Sequence, residues 1–252
     1  MRVSLIITTY NRPDALLLVL RSIETQVSKP IEVIIADDGS TNDTKEVVTS
    51  FQEKSDIRVI HSWQEDSGFK AAKSRNKAIA KATGKYIILI DGDMILHPEF
   101  INDHINNAQP SYFVQGSRVL LTQDKTKQAL DQQKINFSLL SNGLQNRKNA
   151  IHSNSLSRLV SNKKNTLLGI KSCNLAFFKQ DCINVNGFNN EFEGWGREDS
   201  EFVVRLLNVG LNRKNLRFNA IQYHLWHKVS DRTSLDYNNQ LLQNSIEHKF
   251  KA

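Results

Sequence analysis

Thiols are scarce in this chain of 252 residues: only Cys173 and Cys182 are present. Two cysteines 9 positions apart provide neither a disulfide framework nor a paired CxxC metal site, and a reducing compartment suits them. Long apolar runs are also missing. None reaches 18 residues, and the opening run over residues 3–7 is too short for a signal-peptide core or a membrane span. The expectation is a cytoplasmic protein, soluble or peripheral on the cytoplasmic face of a membrane. No internal repeat is visible. The positive charge is not interleaved with the aromatic residues of an RNA-binding motif, which argues against a nucleic-acid partner.

What is present indicates a folded enzyme-sized unit. Hydrophobic residues at 39% and aromatics at 8% are ordinary for a globular chain, and the length allows one large α/β domain or two small ones fused around a shared core. The formal net charge is +7, and much of it is local. Residues 121–165 carry eight Lys/Arg against Asp124 and Asp131, in a stretch rich in Gln, Asn and Ser. Such a segment is either a solvated insertion or a basic face for an anionic partner, such as a membrane surface or an acidic glycan.

Periodicity supplies the architecture. "VSLIIT", "IEVIIAD", "DIRVIHS" and "KYIILID" read as strands, and three of them are apolar on both faces. Between them, "PDALLLVLRSIETQ" places Leu16, Leu17, Leu20 and Ile23 at helical spacing behind a first-turn proline. "AAKSRNKAIAKATG" reads as a helix capped by Gly84. Strand–helix alternation with apolar strands predicts a mostly parallel sheet covered by helices on both faces. Ligands of such sheets bind beyond the carboxyl ends of the strands, which puts "TTYN", "ADDGS" and "DGD" at one rim. Later, "HPEFINDHINNA" reads as a helix, "SYFVQGSRVLL" and "CNLAFF" as strands, and "DSEFVVRLLNVG" as a helix followed by Gly210.

The side chains at that rim suggest chemistry. Asp91 and Asp93, separated by Gly92, can grip a hard divalent cation that bridges diphosphate oxygens, although Asp-Gly is also a common turn pair. Asp38 can accept the imide N–H of uracil, or serve a plain turn. Tyr10 can stack on a base. Lys73 and Arg75 can reach phosphates, or lie on a solvated helix face. His224 and His227, three apart, can add a nitrogen ligand that suits Mn²⁺, or be structural. Glu198 and Asp199 begin a helix, where carboxylates are stabilised whatever their role. The glycines of "GWG" point to a mobile or closely approached backbone beside Trp195, a flat surface for a sugar.

Taken together, "VSLIITTYNRP", "VIIADDGSTNDT" and "KSRNKAIAKATGKYIILIDGDM" resemble a family 2 glycosyltransferase of the GT-A fold. The stretch from "GIKSCNLAFF" through "EGWGREDSEFVVRLLNVG" is similar to the carboxyl-terminal module of β-1,4-galactosyltransferases, polypeptide N-acetylgalactosaminyltransferases and bacterial chondroitin polymerase. The resemblance covers about residues 1–95 and 168–228. It implies an inverting enzyme that uses Mn²⁺ or Mg²⁺ to move a sugar from a UDP-sugar to a glycan or lipid-linked glycan acceptor at the cell surface. The implied donor residues are Thr8, Tyr10, Asn11, Arg12, Asp38, Lys73, Arg75, Asn76, Asp91 and Gly92. The implied metal ligands are Asp91, Asp93 and His224, with His227 as the substitute. Asp199 would be the general base, Glu198 its acceptor-orienting partner, and Trp195, Gly196 and Arg197 would face the acceptor. Arg197 departs from the pattern, because the galactosyltransferases carry a glycine there. A sugar-phosphate nucleotidyltransferase or a non-catalytic glycan-binding module are the alternatives; the first usually has a glycine-rich basic signature that "TTYNRPDA" lacks. The expected division is a nucleotide-sugar half at 1–95, an acceptor half at 96–228 including the basic insertion, and a tail at 229–252.

Overall fold

The protein is described by a computed structural model covering residues 1–228 and 231–252. Its first half alternates strand and helix: β1 (Val3–Thr9), α1 (Pro13–Glu24), β2 (Glu32–Asp37), α2 (Asn42–Lys54), β3 (Arg58–Trp63) and α3 (Ala71–Lys81). Next come β4 (Tyr86–Asp91), β5 (Met94–Leu96), α4 (Phe100–Asn107), β6 (Tyr112–Gln115) and β7 (Val119–Leu121). The basic segment holds α5 (Gln123–Asp131), β8 (Leu144–Gln145), α6 (Asn154–Val160) and β9 (Asn162–Lys163). The remainder is β10 (Asn174–Phe178), α7 (Lys179–Asn184), α8 (Glu198–Asn208), β11 (Asn212–Asn215), β12 (Gln222–His224) and α9 (Leu235–Glu247).

Eight strands form the main sheet in the order β3-β2-β1-β4-β10-β6-β11-β9. The four strands from the first half are parallel, as the apolar runs predict. Beyond β4 the direction changes, because β10 enters antiparallel between β4 and β6. Each central strand sends alternate side chains to opposite faces. Leu5, Ile7, Val33 and Ile35 pack with Leu16, Leu20 and Ile23 of α1. Ile6, Ile34, Ile87 and Leu89 pack on the other face with Ala72 and Ile79 of α3 and with Phe202 and Leu206 of α8. Burial on both faces explains why these strands lack polar alternation.

A second sheet, β5-β12-β7-β8, packs on the outer side of α1 through Ala15, Leu18, Val119, Leu121, Ala129 and Tyr223. The stretch "SYFVQGSRVLL" is therefore two strands in two sheets rather than one. The chain changes sheets at Gly116, whose N–H donates to the Asn174 carbonyl and where a Cβ would sit 2.4 Å from the Asn174 amide. Gly84 is also not a left-handed helix cap. Its N–H donates to Ser4 Oγ at 2.9 Å, and a Cβ there would meet Ser4 N at 2.6 Å, so the glycine permits close approach to β1. The residues expected as a tail include the 13-residue α9, which packs on α8.

The turn that leads into β12 is held from below. Phe218 and Ala220 have left-handed backbones, φ 61° and 49°, which is costly for residues with a Cβ. Buried Asp103 on α4 accepts from Ala220 N at 2.8 Å and from Asn219 Nδ2 at 2.6 Å, and pairs with His152 at 3.0 Å. Asp103→Ala should leave Ala220 N without its acceptor and His152 without its partner, and cost about 3 kcal/mol by urea unfolding. Glu46→Ala, on the exposed face of α2, should change stability by less than about 0.5 kcal/mol. Equal effects would show that the carboxylate does not hold the turn.

Candidate active site

The carboxyl ends of β1, β2 and β4 meet the start of α8 at one rim. Arg75, on α3, lies at the centre and is buried. Its Nε donates to Thr8 Oγ1 at 3.2 Å, its Nη1 pairs with Glu198 at 2.9 Å, and its Nη2 lies 3.7 Å from Asp91. The ring of Phe188 lies 5.5 Å from the guanidinium carbon. A solvated helix face is thus excluded for Arg75. It is an electrostatic bolt between the two halves of the chain.

Asp93 faces a different set. Its Oδ2 is 3.4 Å from Nε2 of both His224 and His227, and 3.4 Å from Arg12 Nη1. One ligand atom from each of Asp93, His224 and His227 lies within 4.8 Å of the others. The other oxygen, Oδ1, is buried with no hydrogen-bond partner among the described residues, which leaves an acceptor available to a cation. Mixed carboxylate and imidazole ligands fit Mn²⁺ or another divalent ion. Both histidines are in reach, whereas Asp91, expected as a ligand, is not part of this cluster, its carboxylate lying 3.7 Å from Arg75. Burial pushes the Asp91 carboxyl up to about 6; Arg75 pulls it down, and Asp93 raises it further. Burial also works to raise Asp93, but the hydrogen bond and charge of His224, then His227 and Arg12, leave it below the usual carboxylate range.

Gly92 does not leave room for a ligand. A Cβ there would meet Thr9 Oγ1 at 2.9 Å, and its N–H donates to the Thr8 carbonyl at 2.7 Å, so the glycine serves packing against β1.

On the β2 side, Asp37 is fully buried and structural, accepting from Ser40 N at 2.8 Å and pairing with His61 at 2.7 Å. Asp38 is oriented by Gln64 Nε2 at 2.6 Å and Lys70 N at 2.7 Å, one to each oxygen. Each oxygen keeps a second lone pair for a ligand donor. Burial raises the Asp38 carboxyl, partly offset by those two bonds. Tyr10 is exposed and donates to Asp66 at 2.9 Å. Asn11, with φ 48°, fixes the local turn by accepting from Thr41 N at 2.8 Å. Lys73 is exposed. Asn76 is not brought to this set: its amide clamps Phe188, accepting from its N–H at 2.8 Å and donating to its carbonyl at 2.7 Å.

Asp199 sits half-buried at the start of α8. Its Oδ1 accepts from Ser200 N at 2.6 Å, and its Oδ2 from Ser172 N at 3.2 Å. Burial, then the neighbouring Glu198, push its carboxyl up to about 7, with Arg75 and the two backbone donors acting against them. That position lets it exist as a competent base near neutral pH. Glu198 was expected to orient an acceptor, but its carboxylate is engaged by Arg75.

The "GWG" loop is braced rather than free. Asn238 of α9 donates to the carbonyls of Glu193 at 3.0 Å and Gly196 at 2.9 Å, and Gly194 N donates to the Phe69 carbonyl. Gly194 and Gly196 have φ of 71° and 106°, and a Cβ on Gly194 would strike Ser234 Oγ at 2.4 Å. Arg197, at φ 78°, occupies a left-handed position that favours glycine, and its Nε donates to Asn239 Oδ1 at 2.7 Å. Trp195 is 38% exposed, with the Arg232 guanidinium 5.0 Å from its ring centre. The sequence reading missed Asn238 and Arg232. Local sequence pattern does not mark them, because α9 docks through two buried polar residues, Asn238 and Ser245, seven apart.

Comparison with known proteins shows the family and the fold. The description "Glycosyl transferase family 2" matches residues 4–181, and "N-terminal domain of galactosyltransferase" matches residues 157–228. The matches run through the basic segment, which the motif resemblance left uncovered. Hyaluronan synthase of Pasteurella multocida is 30% identical over 227 residues, covering 82% of this chain and 23% of that protein. The chain spans only 23–34% of the length of the hyaluronan and chondroitin synthases it matches. Two solved structures show the same GT-A fold. S. aureus TarS 1-349 in complex with UDP-GlcNAc superimposes with a TM-score of 0.63 at 19% identity, over 91% of this chain and 60% of that one. The mannosyltransferase PcManGT of Pyrobaculum calidifontis, in complex with GDP-Man and Mn²⁺, gives 0.63 at 19% identity, over 90% and 57%. With a family match over most of its length and acidic side chains gathered at the rim of the sheet, the chain belongs to glycosyl transferase family 2.

Proposed function

We propose that the chain transfers a sugar from a UDP-sugar, of galactose, N-acetylgalactosamine or glucose type, to a hydroxyl of a cell-surface glycan such as lipooligosaccharide, capsule or O-antigen, with inversion. The observation that carries this reading is Arg75, which joins Asp91 at the donor end to Glu198 and so fixes Asp199 beside the place where a donor would end. Asp38 accepts the uracil imide N–H, and the exposed Tyr10 ring offers a stacking face. Asp93, His224 and His227, with Asp91 adjacent, would hold Mn²⁺ or Mg²⁺; bound there, the ion supplies positive charge to a diphosphate leaving group. Asp199 takes the proton of the acceptor hydroxyl as that oxygen attacks the anomeric carbon from the side opposite the diphosphate. Glu198 acts through Arg75 as a positioning residue. Trp195 offers its exposed face to the acceptor sugar.

Chelation should abolish turnover, and Mn²⁺ or Mg²⁺ should restore it. Asp93→Ala should stay folded, lose nearly all turnover and lose Mn²⁺ binding by titration calorimetry. Mn²⁺ affinity should weaken as pH falls through about 6, where Asp91 gains a proton and its negative charge near the cluster is lost. Full turnover in excess chelator would reject the metal site.

The base assignment has its own signature. Only ionised Asp199 accepts a proton, so kcat/KM should rise with pH and level off above about 7. Asp199→Asn should lower kcat by about a hundredfold to ten-thousandfold and remove that rise, with UDP affinity nearly unchanged. A near-normal kcat in this variant would refute the assignment.

The acceptor's setting rests on α6. Leu156, Leu159 and Val160 are exposed on one side of this short helix, near Arg158, Lys163 and Lys164. Apolar side chains among cations suit the surface of an anionic membrane, and among the described residues no helix is long and apolar enough to cross one. Leu159→Glu should weaken sedimentation with phosphatidylserine vesicles by about tenfold. Unchanged sedimentation, or none by the parent protein, would make the segment a solvated insertion.

A further inference from the structure

The carboxyl rim of the main sheet does not end at the carboxylates. Asn174, which pairs with Ile90 beside Asp91, starts β10, and its Nδ2 donates at 2.8 Å to the carbonyl of Ser117, just past β6. Further along, β11 runs parallel to β6 and continues into Leu216 and Arg217 at the same rim. There a cavity of about 260 Å³ opens, lined by Ser117, Lys148, Asn149, Asn215, Arg217 and Phe218. Adjacent strands are about 4.8 Å apart, so the two or three strand steps from β4 place this cavity about 10–15 Å from Asp91.

Its lining has one sign of charge. Lys148 and Arg217 are exposed and form no ion pair among the described residues, and no carboxylate lines the cavity. The Arg217 guanidinium carbon lies 5.8 Å from the centre of the Phe218 ring, and both residues line the cavity. Phe218 itself is held in the same left-handed turn as Ala220, φ 61° and 49°. Toward the catalytic rim stands a third cation, Arg118, whose Nη1 is 3.7 Å from Cys173 Sγ, next to Asn174. Amide side chains and paired cations without a carboxylate are the chemistry that receives a carboxylate or phosphate, and guanidinium does so through two parallel hydrogen bonds.

Resting on the transferase reading above, we infer that this cavity is an acceptor subsite for an anionic group, a uronate carboxylate or a phosphate, carried a few units inward from the hydroxyl that reacts at Asp199. The acidic centre holds the donor end, while the cationic cavity holds the inner part of the acceptor and sets which chains are extended. Neutral acceptors lack the group that Lys148 and Arg217 recognise.

The test uses the full chain with UDP and Mn²⁺, without vesicles. Binding is measured by titration calorimetry for a hyaluronan tetrasaccharide, its carboxyl-reduced counterpart and a glycerol phosphate oligomer. The parent protein should bind at least one anionic probe about tenfold more tightly than the reduced one. Whichever anionic probe prevails identifies the group as carboxylate or phosphate. Lys148→Ala with Arg217→Ala should erase the preference, whereas UDP release from the donor without acceptor should stay at the parental rate. Both side chains are exposed, so the double variant keeps the core intact. Equal binding of all three probes by the parent, no binding of any, or a preference that survives the double substitution would overturn the subsite. Failure of the parent to release UDP from any UDP-sugar would instead overturn the transferase reading, and the binding comparison does not depend on it.

Discussion

Arg75 is the group on which the site depends. A buried guanidinium without partners is too costly to keep, and here it is paired with Glu198, placed near Asp91 and bonded to Thr8. Those partners come from β1, β4 and α8, so satisfying one cation forces the end of the nucleotide-binding half against the start of α8. The Asn76–Phe188 clamp, one residue along α3, adds neutral bonds to the same joint. Loss of either half would leave a buried charge, which makes the junction all-or-none.

The acids around this joint divide by their surroundings. Asp93 is held ionised by imidazoles and by Arg12, which suits a ligand. Asp199 lies near Glu198 in a poorly solvated place, and both raise its affinity for a proton. Two carboxylates within one rim thus have opposite tendencies, set by burial and by which cation each one faces. Because α9 braces the loop before α8 through Asn238, the position of Asp199 depends on contacts outside the first 228 residues.

Much of this was legible from residue order, for reasons that can be named. β1, β2 and β4 are apolar on both faces, which only a covered parallel sheet explains, and their carboxyl ends locate Asp38, Asp91 and Asp93. The helix carrying Asp199 was readable from Phe202 and Leu206. What escaped is non-local. The pattern of α3 leaves Arg75 between a phosphate contact and a solvated face, because its main partner, Glu198, is 123 positions away. The stretch around Gly116 reads as one strand because local pattern cannot tell which sheet receives each half. α9 was passed over because it docks through asparagine and serine rather than an apolar stripe. Gly84 and Gly92 were assigned to a cap and to a ligand, whereas both admit a neighbouring strand.

The proposed transfer is a single displacement at the anomeric carbon with Asp199 as its base. The most direct measurement is proton NMR of the newly formed linkage during the reaction, before any later isomerisation. The account predicts an anomeric configuration opposite to that of the donor in the first product detected. A first product that retains the donor's configuration would contradict it, because retention requires two displacements or front-side attack.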